Sequence, residues 1–219
     1  MVFPSSDGRI VTMNRDEADT RAEAGEHLEK HIDGHLKQWW PIDSVSGGTW
    51  FGLRGDGLVA CLLNRYQGRS ATPIKSRGLI IPTLFQQDHA HPTRWIAEQC
   101  WDEYASFDLI VVSNLGISQC SWDDGRMHIQ EHNEESSFFL SSSSSEYEKS
   151  LSVRHGAFEE FRTQHASYEA TQIISDLHHQ TGDDATLGFL MRRTGRKTKS
   201  ISQALAASQQ PWHRYLPLA

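Results

Sequence analysis

The sequence predicts a mixed α+β fold, and the order of its segments is the main reason. Two apolar runs, residues 58–63 and 108–113, are typical of strands that lie buried in a sheet. Longer segments with helical spacing separate the strand-like segments. The order is therefore strands, helices, strands, helices and strands. Two packed sheets with helices outside would satisfy this order, and so would another α+β arrangement.

Short apolar or alternating stretches beside turn residues predict the strands. The turn Arg54-Gly55-Asp56-Gly57 joins one hairpin, and Asp124-Gly125 joins a second. The first predicted strand follows Asp7-Gly8, is shortened at its start, and is expected beside residues 58–63. The predicted strands are residues 9–13, 49–53, 58–63, 108–113, 119–123, 126–130, 137–140, 186–192 and 198–204.

Helices are predicted at residues 77–87, 93–105, 146–163 and 168–180. The polar segment 21–40 could also be helical, although Gly34 interrupts it. On such a helix, His27, His31 and His35 would form a stripe able to bind a metal or haem iron. A solvated helix face is the interpretation we favour, and no metal site is predicted.

Composition limits the classes of partner. The chain of 219 residues is expected to form a single domain, residues 1–219. Its net charge of −7 gives no broad basic field, so no nucleic acid partner is predicted. No apolar run is long enough for a membrane span, and the first ten residues do not resemble a signal peptide. Three widely spaced cysteines indicate a reducing compartment, and we expect a cytoplasmic protein. The oligomeric state stays open.

Three short motifs follow one another in the first third of the chain. Asn14-Arg15-Asp16-Glu17 comes directly after an apolar strand, Gly47-Gly48-Thr49-Trp50 leads into the first strand of the first hairpin, and Asn64-Arg65 follows its second strand. In order and spacing they resemble the NRDE family, also called the transport and Golgi organisation 2 family. Residues 140–145 and Met191-Arg192-Arg193 lie where that family has weaker signatures.

The resemblance implies a fold and a site. The fold would be a four-layer αββα sandwich of the N-terminal-nucleophile hydrolase type. In such enzymes a first-residue Cys attacks an amide, and its own α-amine serves as the base. An Arg and an Asp orient this residue, and an Asn stabilises the oxyanion. The implied catalytic residues are Arg15, Asp16 and Asn64, and the implied substrate-binding residues are Asn14, Gly48, Trp50, Arg65 and Ser142.

The start of the chain departs from the family pattern. Members typically begin Met-Cys, whereas this chain begins Met1-Val2-Phe3, and Cys61 is expected to be a buried, inert thiol. We therefore expect the chain as written not to hydrolyse amides. With a complete N-terminus it would act on non-peptide C–N bonds. The alternatives are a non-catalytic carrier of haem or another apolar ligand with a trafficking role, and a degenerate interaction domain. The expected partner is a small-molecule amide or apolar ligand, and no cofactor is predicted.

Overall fold

The computed structural model describes residues 1–66, 74–87, 91–113, 116–133, 136–144 and 146–218. Its strands are β1 (Val2–Ser5), β2 (Gly8–Ala18), β3 (Glu23–Lys30), β4 (Leu36–Asp43), β5 (Phe51–Arg54), β6 (Val59–Asn64), β7 (Phe107–Ser113), β8 (Gly116–Asp123), β9 (Arg126–His132), β10 (Arg192–Arg193), β11 (Arg196–Ala206) and β12 (His213–Pro217). Its helices are α1 (Ile80–Phe85), α2 (Pro92–Glu98), α3 (Tyr147–Gln164) and α4 (Ala170–Gln172). In this part of the chain no helix is long and apolar enough to cross a membrane.

The strands form two antiparallel sheets. The first sheet has the order β1-β2-β11-β10, and β12 also pairs with β11. The second sheet has seven strands in sequence order, from β3 to β9. Each neighbouring pair in the second sheet is joined by a connection along the chain, so it is a meander. The first sheet instead joins the two ends of the chain through the pairing of β2 with β11.

Three hydrophobic clusters show how the layers pack. One cluster joins α1 and α2 to the outer face of the second sheet, with Ile81 and Leu109 fully buried in it. A middle cluster lies between the two sheets and includes Val11 and Val59. The third joins the first sheet to α3, where Phe3 packs on the ring of Phe158. The four layers are therefore helices, sheet, sheet and helices.

Several predicted elements are confirmed. The hairpin expected around residues 54–57 is β5 and β6, and the hairpin around 124–125 is β8 and β9. The helix predicted at 77–87 consists of a 3-10 turn, Arg77–Leu79, followed by α1. The helix predicted at 146–163 is α3. The segment predicted as helical at 168–180 begins as α4 and continues as a π-helical turn, Ile173–His178.

The prediction of a helix at residues 21–40 is wrong. This segment forms the antiparallel strands β3 and β4. Gly34 adopts a φ of +86° in the connection between them, which a helix interior does not allow. The His27 ring stacks on Trp40 across the strands, with 4.1 Å between ring centroids. The helical histidine stripe therefore does not form.

Other strand predictions need correction. Residues 9–13 lie in β2 of the first sheet, whereas residues 58–63 lie in the second, so the two are not neighbours in one sheet. Residues 137–140 contribute only a bridge from Phe138 to Val2. Of residues 186–192 only Arg192 is in a strand, and β12 was not predicted. The helix expected at 93–105 ends at Glu98.

Candidate functional site

A cleft of about 410 Å³ has walls from both sheets, from the loop before α3 and from α3 itself. Six of the predicted site residues line it: Asn14, Arg15, Asp16, Trp50, Asn64 and Ser142. The cleft occurs where β2 extends beyond β1, because β1 pairs with β2 only as far as the register of Val2 with Val11. The motif Asn14-Arg15-Asp16-Glu17 lies on this extension, which explains why all four of its residues contribute to the wall.

Arg15 is held between an aromatic ring and a carboxylate. It lies on β2 and is 6% exposed. Its guanidinium carbon is 4.2 Å from the centre of the Trp50 ring, within the range of a cation–π contact. Its Nη2 donates to Asp43 Oδ2 at 2.6 Å. Asp43 ends β4, so this ion pair connects the two sheets across the cleft.

Asp43 was not predicted as a site residue, although it organises the charges at this end of the cleft. Arg21 also donates to it, with Nε 2.8 Å from Oδ2. Burial alone would raise the pKa of the Asp43 carboxyl, but hydrogen bonds from Arg21 and from the backbone N–H groups of Ser46 and Val45 outweigh burial and lower the pKa to about 2. Asp43 is therefore a fixed anion, and it orients Arg15 rather than exchanging protons near neutral pH.

Asp16 is bound from the helical side of the first sheet. Its Oδ2 accepts from Arg154 Nη2 of α3 at 3.0 Å, and its Oδ1 accepts from the Thr198 hydroxyl at 2.6 Å. Arg154 is itself buried and donates to the carbonyls of Leu187 and Gly188. Because neighbouring strand residues face opposite ways, Arg15 and Asp16 of one motif serve different layers.

Asn14 is engaged in a buried chain of hydrogen bonds. Its Nδ2 donates to the Phe189 carbonyl at 2.6 Å, so its Oδ1 accepts from Nδ1 of His178. The other ring nitrogen, Nε2, then accepts from the Thr12 hydroxyl at 2.6 Å. Burial lowers the pKa of His178 well below its ordinary value, so the imidazole is neutral. The Asn14 amide thus fixes β2 against the π-helical turn.

Asn64 and Ser142 reach the cleft from different parts of the fold, Asn64 from the second sheet and Ser142 from the loop before α3. Asn64 ends β6, and its Nδ2 donates to the Tyr66 hydroxyl at 3.1 Å. The Ser142 carbonyl accepts from Arg154 Nη1 at 3.3 Å, which holds the serine loop against the wall. Ser145, the last residue of the predicted serine run, is outside the described residues.

Two predicted site residues lie outside the cleft wall. Gly48 packs on the backbone of Gly78, so closely that a Cβ would lie 2.5 Å from the Gly78 carbonyl carbon. Its small size is explained by this contact between backbones. Arg65 turns to the second sheet, where its Nη1 donates to Asp108 at 3.1 Å. Neither is placed to contact a ligand in this cleft.

The α-amine of Met1 lies in the cleft. It is buried and donates to the Thr12 carbonyl at 2.8 Å. Burial lowers its pKa, so a larger fraction of it is the neutral base at pH 7. Cys61 lines the same wall, but burial raises the pKa of its thiol to about 12, against the opposing effect of the α-amine charge. This part of the cleft therefore contains a potential base beside an unreactive thiol.

Sequence reasoning missed Arg154, although the chain contained a signal for it. Ser150, Arg154, Phe158 and Phe161 form the buried stripe of α3. An arginine at an apolar position of such a stripe indicates a buried partner, because an unpaired buried charge is costly. Asp43 and His178 were also missed, and no pattern comparable to this stripe singled them out.

Comparison with solved structures supports the layer order. The chain is similar to an N-acylethanolamine-hydrolyzing acid amidase ortholog from Caenorhabditis elegans, with a TM-score of 0.68, 12% identity, and coverage of 100% of this chain and 98% of that one. This likeness confirms the predicted αββα sandwich of the N-terminal-nucleophile hydrolase type. Penicillin V acylase from Agrobacterium tumefaciens is less similar, with a TM-score of 0.46, 12% identity, and coverage of 99% of this chain and 85% of that one.

Comparison of the sequence gives the family. A search of curated proteins finds no match. The family model described as Transport and Golgi organisation 2 matches residues 9–213, which include the Asn14-Arg15-Asp16-Glu17 motif, all of the second sheet, and β10 and β11 of the first. Because this match covers nearly the whole chain, the protein belongs to the Transport and Golgi organisation 2 family.

Proposed function

We propose that the cleft is an amide-binding site of the N-terminal-nucleophile type, in which the residue at position 1 faces the substrate carbonyl. One observation carries this proposal: the α-amine of residue 1 lies in the same cleft as Arg15 and Asn64. An N-terminal nucleophile requires this arrangement, because its base and its nucleophile belong to one residue. The fold shared with an acid amidase supports the proposal, although a shared fold alone does not assign a reaction.

Each wall of the cleft has a role in this scheme. The α-amine of residue 1 accepts the proton of the attacking group. The Asn64 amide, at the end of β6, donates to the oxygen of the tetrahedral intermediate. Arg15 is fixed by Asp43 and Trp50, and it orients the first residue. Met1 offers a thioether, which has no proton to lose and does not form an acyl intermediate. The chain with Met1 is therefore expected to bind amides without hydrolysing them.

The test replaces Met1 with cysteine, behind an initiator methionine that is removed to free the α-amine of residue 1. N-octanoylethanolamine is the substrate, and release of ethanolamine is measured. We expect M1C to turn over and to be labelled at residue 1 by a thiol-directed probe, whereas the Met1 chain and the control M1A do neither. The expected difference is several orders of magnitude in rate. Turnover by the Met1 chain, or binding without turnover by M1C, would falsify the proposal.

A second candidate function is carriage of an apolar ligand, such as haem, without reaction. The apolar part of the cleft wall favours it: Val2, Val11, Met13, Leu63, Phe138, Leu140, Phe189 and Met191 all line the cleft. Saturable haem binding by the Met1 chain, together with an inactive M1C variant that still binds haem, would favour this function over hydrolysis.

A further inference from the structure

The hairpin of β10 and the start of β11 concentrates positive charge at one end of the cleft. Arg192, Arg193, Arg196, Lys197 and Lys199 occur within eight residues, in a chain whose net charge is −7. We call these five residues the basic hairpin. Because the protein as a whole is negatively charged, this local concentration of positive charge needs an explanation.

The pairing of the hairpin strands makes this concentration costly. Arg192 lies directly opposite Lys197, and Arg193 lies directly opposite Arg196. Like charges at directly opposed positions of an antiparallel pair destabilise it. Within the described residues, the side chains of Arg192 and Lys197 make no hydrogen bond or ion pair. On its other side Lys197 lies opposite Glu17 of β2, and Arg196 Nη2 lies 3.9 Å from Glu17 Oε1, so one carboxylate offsets part of this positive charge. An anion bound at the hairpin would offset more of it.

The basic hairpin also forms a depression of its own. This depression, of about 290 Å³, is lined by the five basic residues and by Asp19. Arg193 and Arg196 line both the depression and the cleft, so the two spaces adjoin. Arg193 is held in place, since its Nε donates to the Thr186 carbonyl at 2.7 Å and its Nη2 donates to the Ser150 hydroxyl at 3.0 Å. The position of one guanidinium is therefore set by the fold itself.

We propose that the basic hairpin binds a phosphate monoester, or a group of the same double negative charge, at the far end of the ligand that occupies the cleft. This inference rests on the proposed function, since the amide end of that ligand would lie near residue 1. Planar guanidinium groups donate in pairs to phosphate oxygens, and a phosphate monoester carries nearly two charges at pH 7. Several cations around one depression match that charge better than they match a single carboxylate.

Two probes that differ in one group test the proposal. N-octanoylethanolamine ends in a hydroxyl, and N-octanoyl phosphoethanolamine ends in a phosphate. Their dissociation constants for the Met1 chain are measured by calorimetry at two salt concentrations. We expect the phosphate probe to bind about tenfold more tightly than the hydroxyl probe, because a charge-assisted contact contributes about that much affinity. This difference in affinity should decrease as the salt concentration rises. Inorganic phosphate is expected to compete with the phosphate probe.

Two double variants test which residues cause the preference for the phosphate probe. R192Q/K197Q removes two charges that line only the depression, and it should abolish the preference while leaving the affinity for the hydroxyl probe unchanged. The matched control R94Q/R126Q removes two charges from exposed positions on α2 and β9, and it should keep the preference. Equal loss in both variants would show an effect of net charge alone and would overturn the proposal, as would equal affinity of the wild type for both probes.

Two further outcomes are informative. One distinguishes a lipid headgroup from a soluble ligand as the source of the phosphate, and the other distinguishes failure of this inference from failure of the proposed function. Vesicles of phosphatidylglycerol and phosphatidylcholine are added without free ligand. If they bind through Arg192 and Lys197 while the phosphate probe shows no preference, the hairpin contacts a lipid surface and the proposal is overturned. If the phosphate probe binds through the hairpin but the hydroxyl probe never binds, the hairpin site stands and the proposed amide site fails.

Discussion

Replacement of Asp43 by asparagine removes the carboxylate that Arg15 and Arg21 share. The Asp43 pKa of about 2, against an ordinary value of 3.8, gives the first part of the cost. One pKa unit corresponds to about 1.4 kcal/mol, so the lowered pKa contributes about 2 kcal/mol to the free energy of unfolding at pH 7. D43N also leaves the buried Arg15 guanidinium without its carboxylate at 2.6 Å. Breaking a buried pair costs about 3–5 kcal/mol, and we expect about 3 because Arg21 is partly exposed.

The pH dependence gives a sharper test than the size of the loss. Because the pKa of Asp43 is lowered on folding, its contribution is present above pH 3.8 and is lost as the pH falls towards 2. The difference between wild type and D43N should therefore narrow by about 1 kcal/mol between pH 7 and pH 3.

Urea denaturation followed by tryptophan fluorescence measures both quantities. E98Q, which removes the exposed ion pair between Arg94 and Glu98, is the control and should change stability by less than about 0.5 kcal/mol. The reasoning is refuted if D43N lies within about 1 kcal/mol of wild type at pH 7, or if the difference does not depend on pH.

Three other predictions concern the remaining structure. R154M should lower the free energy of unfolding by about 3 kcal/mol because Asp16 loses its buried partner, and adding D16N should recover part of that loss in urea denaturation; additive losses would contradict this coupling. G57A should cost more than about 2 kcal/mol, because Gly57 has a φ of +88° and a Cβ would lie 2.2 Å from the Ala207 carbonyl oxygen. G195A should lower the free energy of unfolding by less, because Gly195 has a φ of +71° but a Cβ there would meet no atom within 4 Å. Equal urea midpoints for G57A and G195A would contradict this prediction. A thiol-specific disulfide reagent should modify Cys100 in the native protein but Cys61 and Cys120 only after denaturation, because burial raises the pKa values of both of these thiols to about 12. Peptide mass analysis that finds Cys61 or Cys120 modified in the native protein would contradict this prediction.

The sequence predicted best what depends on neighbouring residues. The hairpin at Asp124-Gly125 follows from two residues that adopt positive φ, and both do. The order of motifs indicated the family and its fold. The segment 21–40 was mispredicted because its polar residues lie on an exposed hairpin, where periodicity is weak, while Trp39 and Trp40 pack on opposite faces of one strand.

The arrangement of the site could be predicted only in part. The residues of one motif, 14–17, line the cleft together because a single strand carries them there. Their partners come from segments far along the chain: Asp43 for Arg15, Arg154 for Asp16, and His178 for Asn14. Such pairings depend on how the layers pack against one another, and local sequence patterns do not determine that packing.

The position of the Met1 α-amine has a practical consequence for handling the protein. Because this amine is buried against the Thr12 carbonyl, any purification tag or fusion partner attached before Met1 must pass through the cleft or displace β1. A tag after Ala219 avoids this, since the nearby strand His213–Pro217 is partly exposed and pairs only with β11. An amino-terminal tag would therefore disturb binding assays, either by competing for the cleft or by displacing the strand beside it.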